Sequence, residues 1–233
     1  MFSGFSKDTI KYFEDVSSNN NKLYFRQHKT DYLDYVKAPL KLLHTDLSEI
    51  LYMIDPELCI NPARCISSEY TDARFSKSKP IKEYLYLRYR LLRSRKDNIP
   101  GLFFDSSRDG LRYGLKIYNS TSKGMSYFRD ALLNNLKESQ ILFKNIHSIT
   151  NITVEGKDFA KDHFPAVDLP LKDWLNKKDI MFCYSSEITD SFFSRVLSDE
   201  IEETFLSLSG MYQFLKKALD NCRNHKIHGI SAE

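Results

Sequence analysis

Two apolar periods occupy different stretches of this chain, and that partition restricts its fold more than any other feature. Between Tyr32 and Ile54 the residues Tyr32, Tyr35, Val36, Leu40, Leu43, Leu47, Ile50, Leu51 and Ile54 recur at helical spacing. From Tyr84 to Leu91 the pattern changes to strict alternation, with Leu85, Leu87, Tyr89 and Leu91 set against Tyr84, Tyr86, Arg88 and Arg90. A second alternating run sets Leu111, Tyr113, Leu115 and Ile117 against Arg112, Gly114, Lys116 and Tyr118. Helical side chains return to one face every three or four residues and strand side chains every second one, so the two runs require different backbones. Gly101-Leu102-Phe103-Phe104 reads as a short strand between them, and Ser106 to Gly110 as a hairpin turn. The expectation is an α+β fold in which an antiparallel meander from the middle of the chain packs one apolar face against N-terminal and C-terminal helices.

The flanking helices follow from their caps and breaks. Ser6 is an N-cap for a helix to about Val16, with Ile10, Tyr12 and Phe13 inward. Asn19, Asn20 and Asn21 break it, a second helical stretch begins near Lys22, and a longer helix covers Asp31 to Ile54, kinked or interrupted at Pro39. Past Ser122 a helix to Leu136 is expected, then an amphipathic stretch to His147 and a strand at Ile152 to Val154. A short helix at Leu171 to Asn176 containing Trp174 and a strand at Ile180 to Tyr184 come next. One long helix from Ser191 to Asn221 closes the chain, its stripe formed by Phe192, Val196, Ile201, Phe205, Leu208, Tyr212, Leu215 and Leu219. No repeat and no linker-like stretch interrupts the sequence, so residues 1–221 are expected to form one domain and 222–233 a polar tail.

Several functional classes leave no mark. The four cysteines, Cys59, Cys65, Cys183 and Cys222, lack Cys-x-x-Cys spacing and are expected as reduced thiols. Among the six histidines only His225 and His228 are close together, in the polar tail, so no metal site is expected. No Gly-rich phosphate loop, Gly-x-Ser-x-Gly elbow or His-Glu-x-x-His helix is present, and no cofactor is indicated. The first residues lack the basic start and apolar run of a secretory signal, and no stretch is long and apolar enough to span a bilayer. A cytoplasmic protein without a membrane partner is expected.

The stretch Thr71-Asp72-Ala73-Arg74-Phe75-Ser76-Lys77-Ser78-Lys79-Pro80-Ile81-Lys82 resembles the central signature of the bacterial family called domain of unknown function 2461. That signature typically reads Arg-Asp-x-Arg-Phe-Ser-Lys-Asp-Lys, followed by Pro-Tyr-Lys. Gly4-Phe5, Asn19-Asn20, Tyr24-Phe25, His28 and Tyr32 resemble the family's opening, with Tyr-Phe where Trp-Phe is usual. Pro100 to Phe104 and Gly114 to Tyr118 match its strand pattern. Thr71, Ser78 and Ile81 depart from the pattern, and the chain is one residue shorter before Pro80. The resemblance implies a fold and no activity.

Charge gives the one pointer to a ligand. The whole chain carries only +3, but between Arg64 and Lys116 thirteen Lys or Arg stand against six Asp or Glu, a local net charge of +7. Such a segment raises the local potential and gathers anions. Arg74 offers a planar fork for phosphate or carboxylate, Ser76 a hydroxyl, and Lys77, Lys79 and Lys82 mobile charges. Strand alternation adds Arg88 and Arg112 on outward positions beside Tyr84 and Tyr86. The expected ligand site is therefore Arg74, Ser76, Lys77, Lys79, Lys82, Arg88 and Arg112, taking a small phosphorylated or carboxylated molecule. A nucleic-acid or protein interaction surface on the same basic, tyrosine-rich face is the alternative.

Overall fold

The computed structural model of the chain describes residues 1–72, 74, 76, 78–92, 97–167 and 171–224, and for 221–224 the backbone alone. Lys77, Arg93, Arg95, Lys96, His225, His228 and the side chain of Cys222 lie outside the described residues. Runs of helices flank an antiparallel sheet, as expected of an α+β protein. Among the described residues no helix is long and apolar enough to cross a membrane.

Contacts divide the chain into two units. The first contains residues 1–89, 103–113 and 185–203. Its opening helix α1, Lys7–Ser18, starts where Ser6 accepts from Thr9 N and Thr9 answers in a capping box. Tyr12, Phe13 and Val16 turn inward, and Ile10 is half-buried. Two short helices follow, α2 at Lys22–Gln27 and α3 at Lys29–Asp31. The expected long helix then divides into a π-helical turn, Tyr32–Lys37, and α4, Ala38–Ile54. Pro39 is the cause. It has no N–H to offer the Tyr35 carbonyl four residues earlier, so the hydrogen-bond ladder slips to the wider spacing ahead of it, with Ala38 N bonding Leu33 O. The Tyr35 carbonyl is met from another helix, by the buried Thr9 hydroxyl at 2.6 Å.

After α5, Pro62–Cys65, strand β1 covers Tyr84–Arg90, β2 Ile99–Ser107 and β3 Gly110–Tyr118. The β1 burial pattern reproduces the alternation in the sequence, with Leu85, Leu87 and Tyr89 buried. A buried aromatic group in this unit joins Phe5 to Phe104 and Phe192, with centroids at 6.1 and 4.7 Å.

The second unit contains residues 90–102, 114–184 and 204–233. Helix α6, Ser122–Asn134, capped by Thr121, is followed by α7, Leu136–Ser148, then β4, Ile152–Glu155, and α8, Leu171–Leu175. The buried Arg129 of α6 donates to the carbonyls of Leu175 and Lys177 at 2.7 and 2.6 Å and so anchors the end of α8.

Strand β5, Met181–Ser186, extends the expected meander and makes the strand order of the whole sheet more than a simple meander. The sheet order is β1-β2-β3-β5-β4: the first three strands are sequential, and β5 fills the edge that β3 leaves open. Phe182 and Cys183 suit a buried inner position, whereas β4, with Thr153 exposed and its other three residues half-buried, suits an outer edge, where short strands resist further pairing. The single long final helix is corrected. A 3-10 turn at Asp190–Phe193, α9 at Val196–Ser207 and α10 at Ser209–Asn224 replace it. Extended backbone at Ser194 ends the first piece, and Ser209-Gly210, weak helix formers, adjoin the second break at Leu208. The break shifts the helical phase, so Leu197 is buried and Val196 is 51% exposed.

Candidate functional site

The segment that carries the family signature is tied down before it enters β1. Tyr70 bridges Ile81, Thr71 N donates to Pro80 O at 2.9 Å, and Lys82 N donates to Glu69 O at 2.9 Å. Asn20 supplies the clamp. Its side chain donates to Ile81 O at 2.8 Å and accepts from Ile81 N at 2.9 Å, satisfying that residue as a neighbouring strand would. The same amide donates to Glu83 Oε1 at 2.9 Å.

Each expected ligand residue has a definite place. Arg74 is exposed and its Nε donates to both oxygens of Asp72 at 3.0 and 3.1 Å. That guanidinium holds the Asp72 carboxyl down at about 2. Ser76 Oγ accepts from Lys79 N at 3.1 Å, and Lys79 Nζ is 2.9 Å from Glu83 Oε1. Lys82 Nζ donates to Ser68 O and Oγ at 2.8 and 3.0 Å and stands 5.1 Å from the Tyr86 ring centre. Burial, aided by the charge of Arg88, pushes the Lys82 ammonium below its usual range. The Arg88 guanidinium covers the same Tyr86 ring at 3.7 Å. Lys82 and Arg88 therefore share one aromatic platform, a favourable arrangement for cations over a ring face.

Arg88 and Arg112 come together in a cavity of about 370 Å³ inside the first unit. Its walls are Tyr84 and Arg88 of β1, Asp105 to Ser107 of β2, Asp109 to Arg112 around the hairpin, and Ser185 and Ser186 of β5. Strand geometry explains the convergence. Arg88 and Arg112 occupy outward positions beside the buried Leu87, Tyr89, Leu111 and Tyr113, while Asp105 and Ser107 emerge where β2 leaves the core. Gly110 makes room for the far wall, since a Cβ there would overlap the Ser186 carbonyl. Arg88 Nε is buried and makes no hydrogen bond. Asp109 lies 3.4 Å from Arg108 Nε. Arg74, Ser76, Lys79 and Lys82 do not line this cavity.

Sequence reasoning missed Asp105, Ser107, Ser185 and Ser186. The first two were accessible, because outward alternation at the end of β2 places them beside Arg88 and Arg112. The two serines carried no local signal, since β5 reaches the cavity only through its pairing with β3. Among the described residues no group of three His, Cys, Asp or Glu is placed to hold a metal ion.

Fold and cavity together define an α+β protein with an antiparallel sheet and an arginine-lined cleft at its hairpin end. The chain belongs to the family described as conserved hypothetical protein DUF2461, whose pattern matches residues 8–214. No curated protein matches it significantly.

Proposed function

We propose that the cleft between Arg88 and Arg112 binds a small anionic molecule carrying a phosphate or carboxylate. One observation carries this reading: two arginines from different strands face one cavity, and Arg88 brings a buried Nε donor with no hydrogen bond. A guanidinium presents paired N–H donors that match a phosphate or carboxylate, and burial strengthens such bonds. Ser107, Ser185 and Ser186 add hydroxyls along the wall. Asp105 and Asp109 favour a compact ligand with hydroxyl or amine donors over a long polyanion, because their carboxylates repel successive phosphates and accept from donors. Cys59, Cys65 and Cys183 are reduced thiols, which accords with a reducing, cytoplasmic setting.

The test is calorimetry or NMR titration with inorganic phosphate, citrate and a panel of small phosphate esters. Saturable binding is expected. Arg88→Gln and Arg112→Gln should each weaken it by about tenfold or more, the equivalent of one charge-assisted hydrogen bond. Arg74→Glu, outside the cavity, should change the affinity less than about twofold. Binding that survives both cavity substitutions, or no binding to wild type, overturns the proposal.

A further inference from the structure

The second unit contains a larger cavity of different chemistry. It occupies about 560 Å³ among α7, β4 and α8, within the range of small-molecule sites. One wall is aromatic. The Phe143 and His147 rings stack at 3.8 Å with 22° between their planes, and Trp174 lies 5.2 Å from Phe143 and 6.2 Å from His147. Helical spacing places Phe143 and His147 one above the other on α7. Ile152 and Val154 of the edge strand β4 extend the apolar surface.

The polar side of this cavity is rich in acceptors. His147 Nδ1 is 2.9 Å from Phe143 O, which fixes the proton on Nδ1 in the neutral ring and leaves Nε2 as an acceptor. The exposed Asp173 carboxylate makes no hydrogen bond or ion pair among the described residues. The Lys177 ammonium, mostly buried, is already held by Asp158 at 3.1 Å. Asn176 is likewise engaged, donating to Asp162 Oδ1 and accepting from His163 N, both at 2.9 Å. The available groups thus call for a ligand that brings donors, and the ring wall calls for one that is flat.

We propose that this cavity is a second ligand site, binding a planar aromatic or heteroaromatic molecule with amino or amidine donors. The ring stacks on the Phe143 and His147 rings, with the buried Trp174 directly behind them, and the donors reach Asp173. The site rests on residues separate from the arginine cleft, so either can stand without the other.

Trp174 is the only tryptophan in the chain, so its fluorescence reports on this cavity alone. The intact protein is titrated with benzamidine, a flat aryl amidine, and separately with benzoate, which has nearly the same shape and the opposite charge. Benzamidine is expected to give a saturable change in Trp174 emission that benzoate does not. Asp173→Asn should weaken benzamidine about tenfold by removing the charged acceptor. His147→Ala should weaken it about fivefold by removing a stacking partner. Both positions are exposed, so unchanged circular dichroism and thermal midpoints are expected, and the affinity loss then belongs to the site. Equal response to the two probes, full affinity in both variants, or no saturable change up to roughly 10 mM, where weak fragments bind, overturns the assignment.

Discussion

His44 lies in the core with both ring nitrogens engaged, Nδ1 3.1 Å from Tyr89 Oη and Nε2 3.0 Å from Ile60 O. Burial pushes the Tyr89 phenol far above its usual range, so it stays protonated and donates, which leaves Nε2–H to donate to the Ile60 carbonyl. Burial likewise lowers the His44 pKa from 6.5, with the Ile60 bond opposing it. As pH falls the unfolded chain takes up the proton before the folded one does, so the contribution of His44 is complete above pH 6.5 and is lost as pH falls below it. Urea midpoints measured down a pH series should decline below that point in wild type and decline less in His44→Gln. Equal slopes would show that this ring does not govern the dependence. The sequence offered no sign of His44, because its position on an inward helical face does not reveal the phenol 45 residues away that receives it.

Among the elements, β1 is the one whose placement decides the cleft, and Asn20 is the residue that secures its approach. Two bonds to the Ile81 backbone and one to Glu83 make this amide a substitute strand partner for the segment ahead of β1. Asn20→Ala removes all three and is expected to cost about 3 kcal/mol, since each net bond contributes about 1 kcal/mol. Denaturant unfolding reads that loss. A value near zero would show that the segment holds its course without the clamp. The asparagine run was legible as a helix break, whereas its second role was not. A side chain that imitates a strand has no periodic signature. The π-helical turn is the opposite case, since Pro39 announced an interruption in advance and a missing N–H acts locally.

For the whole molecule, the deciding quantity is how charge is distributed. The +7 between Arg64 and Lys116 sits in a chain of only +3. In the folded chain three of its thirteen cations close on carboxylates of the same stretch, Arg74 on Asp72, Lys79 on Glu83 and Arg108 on Asp109. Cations interspersed with carboxylates in this way should hold mixed-sequence oligonucleotides weakly, with binding lost by about 0.2 M salt, while compact anions persist in the cleft. Oligonucleotide binding that withstands that salt would favour the nucleic-acid interface. The sequence by itself determined the class of fold, the meander of β1 to β3, the caps and breaks of the first helices, and the outward positions of Arg88 and Arg112. All of these follow from interactions within a few residues of chain, where periodicity and turn chemistry act. Only the tertiary structure decided that β5 lies beside β3, that the final helix breaks, that Arg88 and Arg112 share a cavity with Ser185 and Ser186, and that Arg74 lies apart from it. Those outcomes depend on which distant surfaces meet when the core closes, and pairing between remote segments leaves no trace in local order.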